Sequence, residues 1–140
     1  MTTRAQMSES AGHEGGHTEL MQAALEGQTD RLKLLLGSDV NERDNEGRTA
    51  LMFAATNMHE DCAKLLLEHG ADVNVKANDG STALMLAASS GDTETVRDLL
   101  SKGADASAKL TQSGKTAVML AKEKGYTEIV QLLEAAGAKQ

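Results

Sequence analysis

Glycine, threonine and glycine recur along this chain at one fixed spacing, and that spacing limits the fold more than any other feature. Gly47, Gly80 and Gly114 are 33 and 34 residues apart, as are Thr49, Thr82 and Thr116, and again Gly70, Gly103 and Gly137. The lines Thr49-Ala50-Leu51-Met52-Phe53-Ala54-Ala55, Thr82-Ala83-Leu84-Met85-Leu86-Ala87-Ala88 and Thr116-Ala117-Val118-Met119-Leu120-Ala121 are one phrase written three times. A divergent fourth copy starts at Thr18, with Leu20, Met21, Ala23 and Ala24 in the matching columns. A period of this length means a stacked array in which each unit buries its apolar face only against its neighbours.

The unit is best read in the stretch from Thr82 to Ala104. Thr82 is a helix N-cap followed at once by a small apolar run, and Gly91 ends that run. A second helix begins with the acids Asp92 and Glu94, carries Val96, Leu99 and Leu100 at helical spacing, and closes on Lys102-Gly103. Helices of roughly 8 to 10 residues are marginal alone in water, so each pair needs its neighbours to fold. A closing phrase recurs as well: Asp39-Val40-Asn41, Gly70-Ala71-Asp72-Val73-Asn74 and Gly103-Ala104-Asp105-Ala106-Ser107.

On these residues the chain resembles the ankyrin repeat family, from Thr18 to about Lys139. The resemblance implies an all-α solenoid of stacked helix-turn-helix pairs joined by β-turn or hairpin loops, with repeats at about 18–43, 44–76, 77–110 and 111–139. The sequence departs from the family pattern in three ways. Alanines 50, 83 and 117 stand where the family has proline, and methionines 21, 52, 85 and 119 where it has histidine, so the family's threonine-to-histidine hydrogen bond gives way to thioether packing. The first copy lacks two residues after Leu36, and one residue is inserted between Ser107 and Gly114.

Charge and composition narrow the function. With 14 basic and 21 acidic side chains the formal charge is −7, which argues against nucleic acid or an anionic membrane as partner. A single cysteine, Cys62, fits a reducing, cytoplasmic setting and, from its column, the buried face of a second helix. No apolar stretch is long enough to span a membrane. Phe53 and Tyr126 alone are aromatic, so no stacking platform for bases is present. Charged or polar residues in otherwise apolar columns mark both end repeats: Arg31 in the column of Cys62, Thr95 and Ile129, Lys122 in that of Ala55 and Ala88, and Glu134 in that of Leu67 and Leu100. Both ends are therefore expected to be capped within this chain, as a monomer.

Residues 1–17 have no periodicity and are expected to form a disordered tail. They contain His13-Glu14-Gly15-Gly16-His17, which fits the H-E-x-x-H zinc motif and supplies the alternative reading, a small metalloenzyme. That chemistry needs a helix to bring both histidines to one face, and the two glycines cost about 2 kcal/mol of helix propensity. The methionine column is expected to pack a seam and not to hold a soft metal. Ser113-Gly114-Lys115-Thr116 lacks the first glycine of a phosphate loop, since Lys109 stands there. No catalytic arrangement, metal site or cofactor site is expected, which leaves a binding surface: a scaffold, an adaptor or an inhibitor of another protein. An engineered array with no natural partner is a further alternative.

The resemblance implies that partners are bound by the turn tips and by the exposed, concave side of the first helices. Carried onto this sequence, the tips are Asn45, Glu46 and Arg48, then Asn78, Asp79 and Ser81, then Gln112, Ser113 and Lys115. The groove positions are Leu25, Phe53, Thr56, Asn57, Ser89, Ser90, Glu123 and Lys124. Arg48 and Phe53 are the expected hot spots, because arginine and aromatic anchors carry a disproportionate share of interface energy. Leu110 lies in the finger lengthened by the inserted residue. Asn74, with Leu66 eight residues before it, is similar to ankyrin asparagines that are hydroxylated in animals. One position conflicts with the pattern: Gly27, Gly91 and Gly125 fill the turn between paired helices, but the second repeat has Met58, which is expected to strain the backbone unless Asn57 takes the left-handed position.

Overall fold

The computed structural model describes residues 16–137. These form α1 (Glu19–Glu26), α2 (Thr29–Leu35), α3 (Ala50–Thr56), α4 (Glu60–Glu68), α5 (Ala83–Ser90), α6 (Thr93–Ser101), α7 (Ala117–Lys124) and α8 (Thr127–Ala135), with no strand among the described residues. Each odd helix packs on the even helix that follows it, the odd helices pack in sequence as one row, and the even helices form a second row behind them. The fold is the all-α stack that the period requires. The expected tail, residues 1–17, lies almost wholly outside the described residues.

Every helix of the first row starts the same way. Thr18, Thr49, Thr82 and Thr116 hold extended backbone and accept the amide of the methionine three residues on, at 3.1 to 3.4 Å. In α1 the pairing is reciprocal, since the Thr18 amide donates to the Met21 sulfur at 3.4 Å. The thioether therefore stands in for the usual carboxylate or amide of a capping box. Met21, Met52 and Met85 are 1–2% exposed between the layers, whereas Met119, on the last helix of the row, is only half-buried. Full burial of such a side chain contributes about 1.5 to 3 kcal/mol.

The second row is held by Leu32, Cys62, Ala63, Leu66, Val96, Leu99, Ile129 and Leu133, all at 0–1% exposure. Burial pushes the Cys62 thiol above its ordinary pKa. Arg31, in the column of Cys62, is exposed and faces Glu19 at 3.8 Å, and Lys122 faces Glu134 at 3.7 Å. Leu34 on α2 is 85% exposed, an apolar surface residue that the capping argument does not anticipate. The first copy's missing residues show as a second helix of 7 residues where α4, α6 and α8 have 9.

Asparagine side chains link consecutive units on the loop side. Asn41 donates to the Gly70 carbonyl at 3.2 Å and accepts the Asp72 amide at 2.7 Å, and Asn74 repeats both bonds with Gly103 and Asp105 at the same distances. The side chain of Asn74 is thus spent on the next unit although the residue is exposed.

Met58 and not Asn57 takes the left-handed conformation, at φ 61° against −101°. The next unit explains why it is tolerated. A Cβ at Gly27 would meet the His59 ring at 2.5 Å and one at Gly91 would meet the Tyr126 ring at 2.9 Å, but the residue in that column after Met58 is the compact Asp92. Met58 is itself 46% exposed. Met58→Gly is expected to raise stability by about 0.5 to 1 kcal/mol, the left-handed penalty less the extra entropy of an unfolded glycine. Urea unfolding should show a higher midpoint at unchanged slope; a lower midpoint would mean that the methionine packs.

Candidate partner-binding surface

The turn tips are built on carboxylates. Asp44 is 8% exposed, and its carboxylate accepts the amides of Glu46 and Arg48 at 2.9 and 2.8 Å and the Arg48 Nε at 2.9 Å. The carboxylate closes the turn and fixes the guanidinium above it. In the next unit Ala77 occupies the Asp44 position, and Asp79 takes over by accepting both the amide and the hydroxyl of Ser81. The Ser81 hydroxyl, together with its amide, holds the Asp79 carboxyl below the usual carboxylate range. Tip joins tip through the backbone: the Asn78 amide donates to the Glu46 carbonyl at 2.8 Å, and the Thr111 amide donates to the Asp79 carbonyl at 2.9 Å. The third tip carries the inserted residue, so the Gly114 amide reaches back four residues to Leu110 where Gly47 and Gly80 reach back three. Leu110 itself is half-buried and packs on the core.

A cleft of about 500 Å³ opens over the second unit, from Leu25 of the first to Leu86 of the third. Leu25, Met52, Phe53, Ala77 and Leu86 form its apolar lining, and Glu46, Arg48, Asp79, Asn78, Ser81 and Thr56 the polar part. Arg48 lies over the Phe53 ring at 5.0 Å from its centroid and reaches Glu46 at 3.5 Å, while His17 meets the same ring edge-on at 5.3 Å. A guanidinium on a ring face gains about 0.5 to 1 kcal/mol at exposed sites, so Phe53 organises this end of the cleft.

The structure brings Glu46, Arg48, Phe53, Thr56, Asn78, Asp79 and Ser81 to one cleft and leaves the rest of the expected set, Leu25 apart, outside its lining. Phe53 and Ser81, though part of the lining, are only 9% and 8% exposed. Several polar candidates, Asn78 of the lining among them, hold neighbouring units together. The Asn57 amide donates to the Leu25 carbonyl at 2.8 Å, the Ser90 hydroxyl to the Thr56 carbonyl at 2.9 Å, and the Asn78 amide group to the Asn45 carbonyl at 3.1 Å. Lys115 and Glu123 form an ion pair at 2.6 Å. Lys124 is exposed and Ser89 half-buried on the same row, and Gln112 and Leu110 line a second, shallower hollow with Asn78, Asp79, Thr111 and Ser113. Sequence reasoning missed Leu86, Met52 and Ala77. Leu86 was within reach, because it stands one period after Phe53.

His13 and Glu14 of the H-E-x-x-H stretch lie outside the described residues. Gly16, inside the motif, stands at φ 74°, in the left-handed region. His17 is engaged with Gln22 at 2.7 Å as well as with Phe53. Among the described residues no group of three or more histidine, cysteine or acidic side chains is arranged to hold a metal ion, and no helix is long and apolar enough to cross a membrane.

Comparison with known proteins agrees with this architecture. The family model for ankyrin repeats matches residues 20–110 and 70–140. Cortactin-binding protein 2 of Oryctolagus cuniculus is 46% identical over 56 residues, 38% of this chain and 3% of that protein, and the same protein of Echinops telfairi is 45% identical over the same length. This chain thus spans about 3% of the length of the curated relatives it matches.

Proposed function

The chain belongs to the ankyrin repeat family, whose repeats are protein-interaction modules, and from that premise we propose that it is a non-catalytic module that binds a partner protein on the side lined by the turn tips and the first helices. The observation that carries this reading is the cleft of about 500 Å³ beneath Arg48 and Phe53, apolar inside and charged at the rim, because an apolar centre within a polar rim is the anatomy of a protein interface. The binding unit is residues 18–139, acting as a cytoplasmic monomer, and Gln112, Leu110, Lys115, Glu123 and Lys124 extend the surface beyond the cleft. The likeness to the relatives lies in 56 residues of repeat. It supports the module, and their name makes cortactin one partner to include in the test.

The test is capture from a lysate, and from purified cortactin, by the chain and by two variants of unchanged helical circular dichroism. Leu25→Glu/Leu86→Glu places charges in the cleft lining, and Lys64→Glu/Glu94→Lys alters the second row. Capture by the wild type and by the second-row variant, with at least a roughly tenfold loss for the cleft variant, is expected. Loss with the second-row variant alone would move the interface to the opposite side and overturn the reading.

A further inference from the structure

Charge and apolar surface are arranged at the cleft so as to select one kind of ligand. Two lining carboxylates, Glu46 and Asp79, stand at the mouth, both on exposed residues. Arg48, the only lining guanidinium among the described residues, is already committed: its Nε is bonded to Asp44 at 2.9 Å, its other end approaches Glu46 at 3.5 Å, and its face rests on Phe53. Among the described lining residues one cation thus stands against two carboxylates, Glu46 and Asp79, and it is already bonded to a third outside the lining, Asp44. A second guanidinium in the same unit, Arg43, is tied to the carbonyls of Gly47 and Lys76 at 3.3 and 2.6 Å and is not part of the lining. Behind this negative rim lie the half-buried Leu25 on α1 and Leu86 on α5, one on each side of α3, whose Phe53 and Thr56 line the cleft between them. A low-dielectric wall beside the carboxylates focuses their field on the entrance.

Resting on the binding-module reading, we propose that this cleft takes an extended segment of a partner protein in which a large apolar side chain lies next to a lysine or arginine. The apolar side chain enters the cleft lined by Leu25, Phe53 and Leu86, and the cation meets Glu46 and Asp79 at the mouth. An acidic segment is rejected there, since it would bring like charge to the rim.

The probe is a display library of random 12-residue peptides selected on the full chain, followed by titration of the enriched peptides against wild type, Glu46→Gln/Asp79→Asn and Leu86→Lys. The amide replacements keep the acceptor that closes the Ser81 turn while removing both charges. Enriched peptides are expected to pair leucine, phenylalanine or methionine with lysine or arginine within about two residues, the spacing that reaches both parts of the cleft from one extended strand. They should weaken about tenfold with Glu46→Gln/Asp79→Asn, and again when salt rises from about 0.05 to 0.5 M. Leu86→Lys should abolish binding. Loss with Leu86→Lys but none with Glu46→Gln/Asp79→Asn leaves the cleft as the site and overturns the cation. Binding untouched by either variant overturns the placement of the binding surface itself. Acidic peptides, or no enrichment over the unselected library, overturn the inference. So does displacement of the selected peptides by a synthetic peptide of residues 1–15, or their loss as the chain self-associates in sedimentation, since the cleft would then be filled by this chain's own segment or by a second copy.

Discussion

Gly91→Ala is expected to destabilise the chain by about 2 kcal/mol, read as a lower urea midpoint at unchanged slope. Two causes add. Gly91 stands at φ 83°, where a Cβ costs about 1 kcal/mol, and that Cβ would lie 2.9 Å from the Tyr126 ring of the following unit. The ring must shift, and overpacking costs about 1 to 3 kcal/mol, reduced by the lower entropy of an unfolded alanine. The second repeat shows the way out, since Met58 takes the same conformation and its neighbour is Asp92. In a Tyr126→Asp background the cost of Gly91→Ala should fall to about 1 kcal/mol or less, because only the backbone penalty is left. If Tyr126→Asp leaves the cost unchanged, the ring is not what excludes a side chain at position 91.

Much of this fold could be read from the sequence because the repeat supplies the same evidence several times. The threonine caps, the methionine column and the two alanines each recur in register, and their buried places follow from a period that no single helix could satisfy. What the sequence could not show were contacts between columns of successive units. Met58 stands out as an exception to glycine in one column, yet its tolerance depends on Asp92, 34 positions later. The Thr18 amide on the Met21 sulfur was also hidden, since a thioether is a weak acceptor and carries no capping signature.

The binding surface was less legible. Sequence position places a residue on a tip or in the first row, and those placements gathered Glu46, Arg48, Phe53 and Asp79 around one cleft. Position says nothing of whether a polar side chain is free. Asn57 and Ser90 look like groove residues in the sequence, but in the structure they donate to carbonyls of the preceding unit, so they hold the stack together. Leu86 has no feature of its own that marks it as surface, and only its place one period after Phe53 assigns it to the same cleft.

Asp92→Ala is expected to cost about 2 to 3 kcal/mol at mildly acid pH and to weaken a pH dependence at the same time. Asp92 is fully buried at the start of α6, where it accepts the Thr95 amide at 3.2 Å and the Thr95 hydroxyl at 2.6 Å. Its loss removes the cap, worth about 1 kcal/mol, and leaves the buried Thr95 hydroxyl unpaired, at about 1 to 3 kcal/mol. Asp92 also acts across the boundary between units. A hydrogen bond from Glu60 to Asp92, then burial, then the charges of Asp92, Glu94 and Asp61, raise the Glu60 carboxyl from 4.5 to about 7. The folded-state pKa lies above the unfolded one, so this contribution is complete below about 4.5 and is lost as pH rises through about 7. Wild-type stability, followed by urea unfolding at about pH 5.5 and 8, should therefore fall across that window through Glu60, and in Asp92→Ala that fall should shrink, with only burial and the charges of Glu94 and Asp61 left to raise the Glu60 carboxyl. Glu60→Gln separates the two effects: it donates to Asp92 at every pH, so it should keep the cap, lose the pH dependence and exceed the wild type at alkaline pH. A pH response in Glu60→Gln equal to that of the wild type would mean that another group titrates and that the carboxyl pair between the second and third units is not its source.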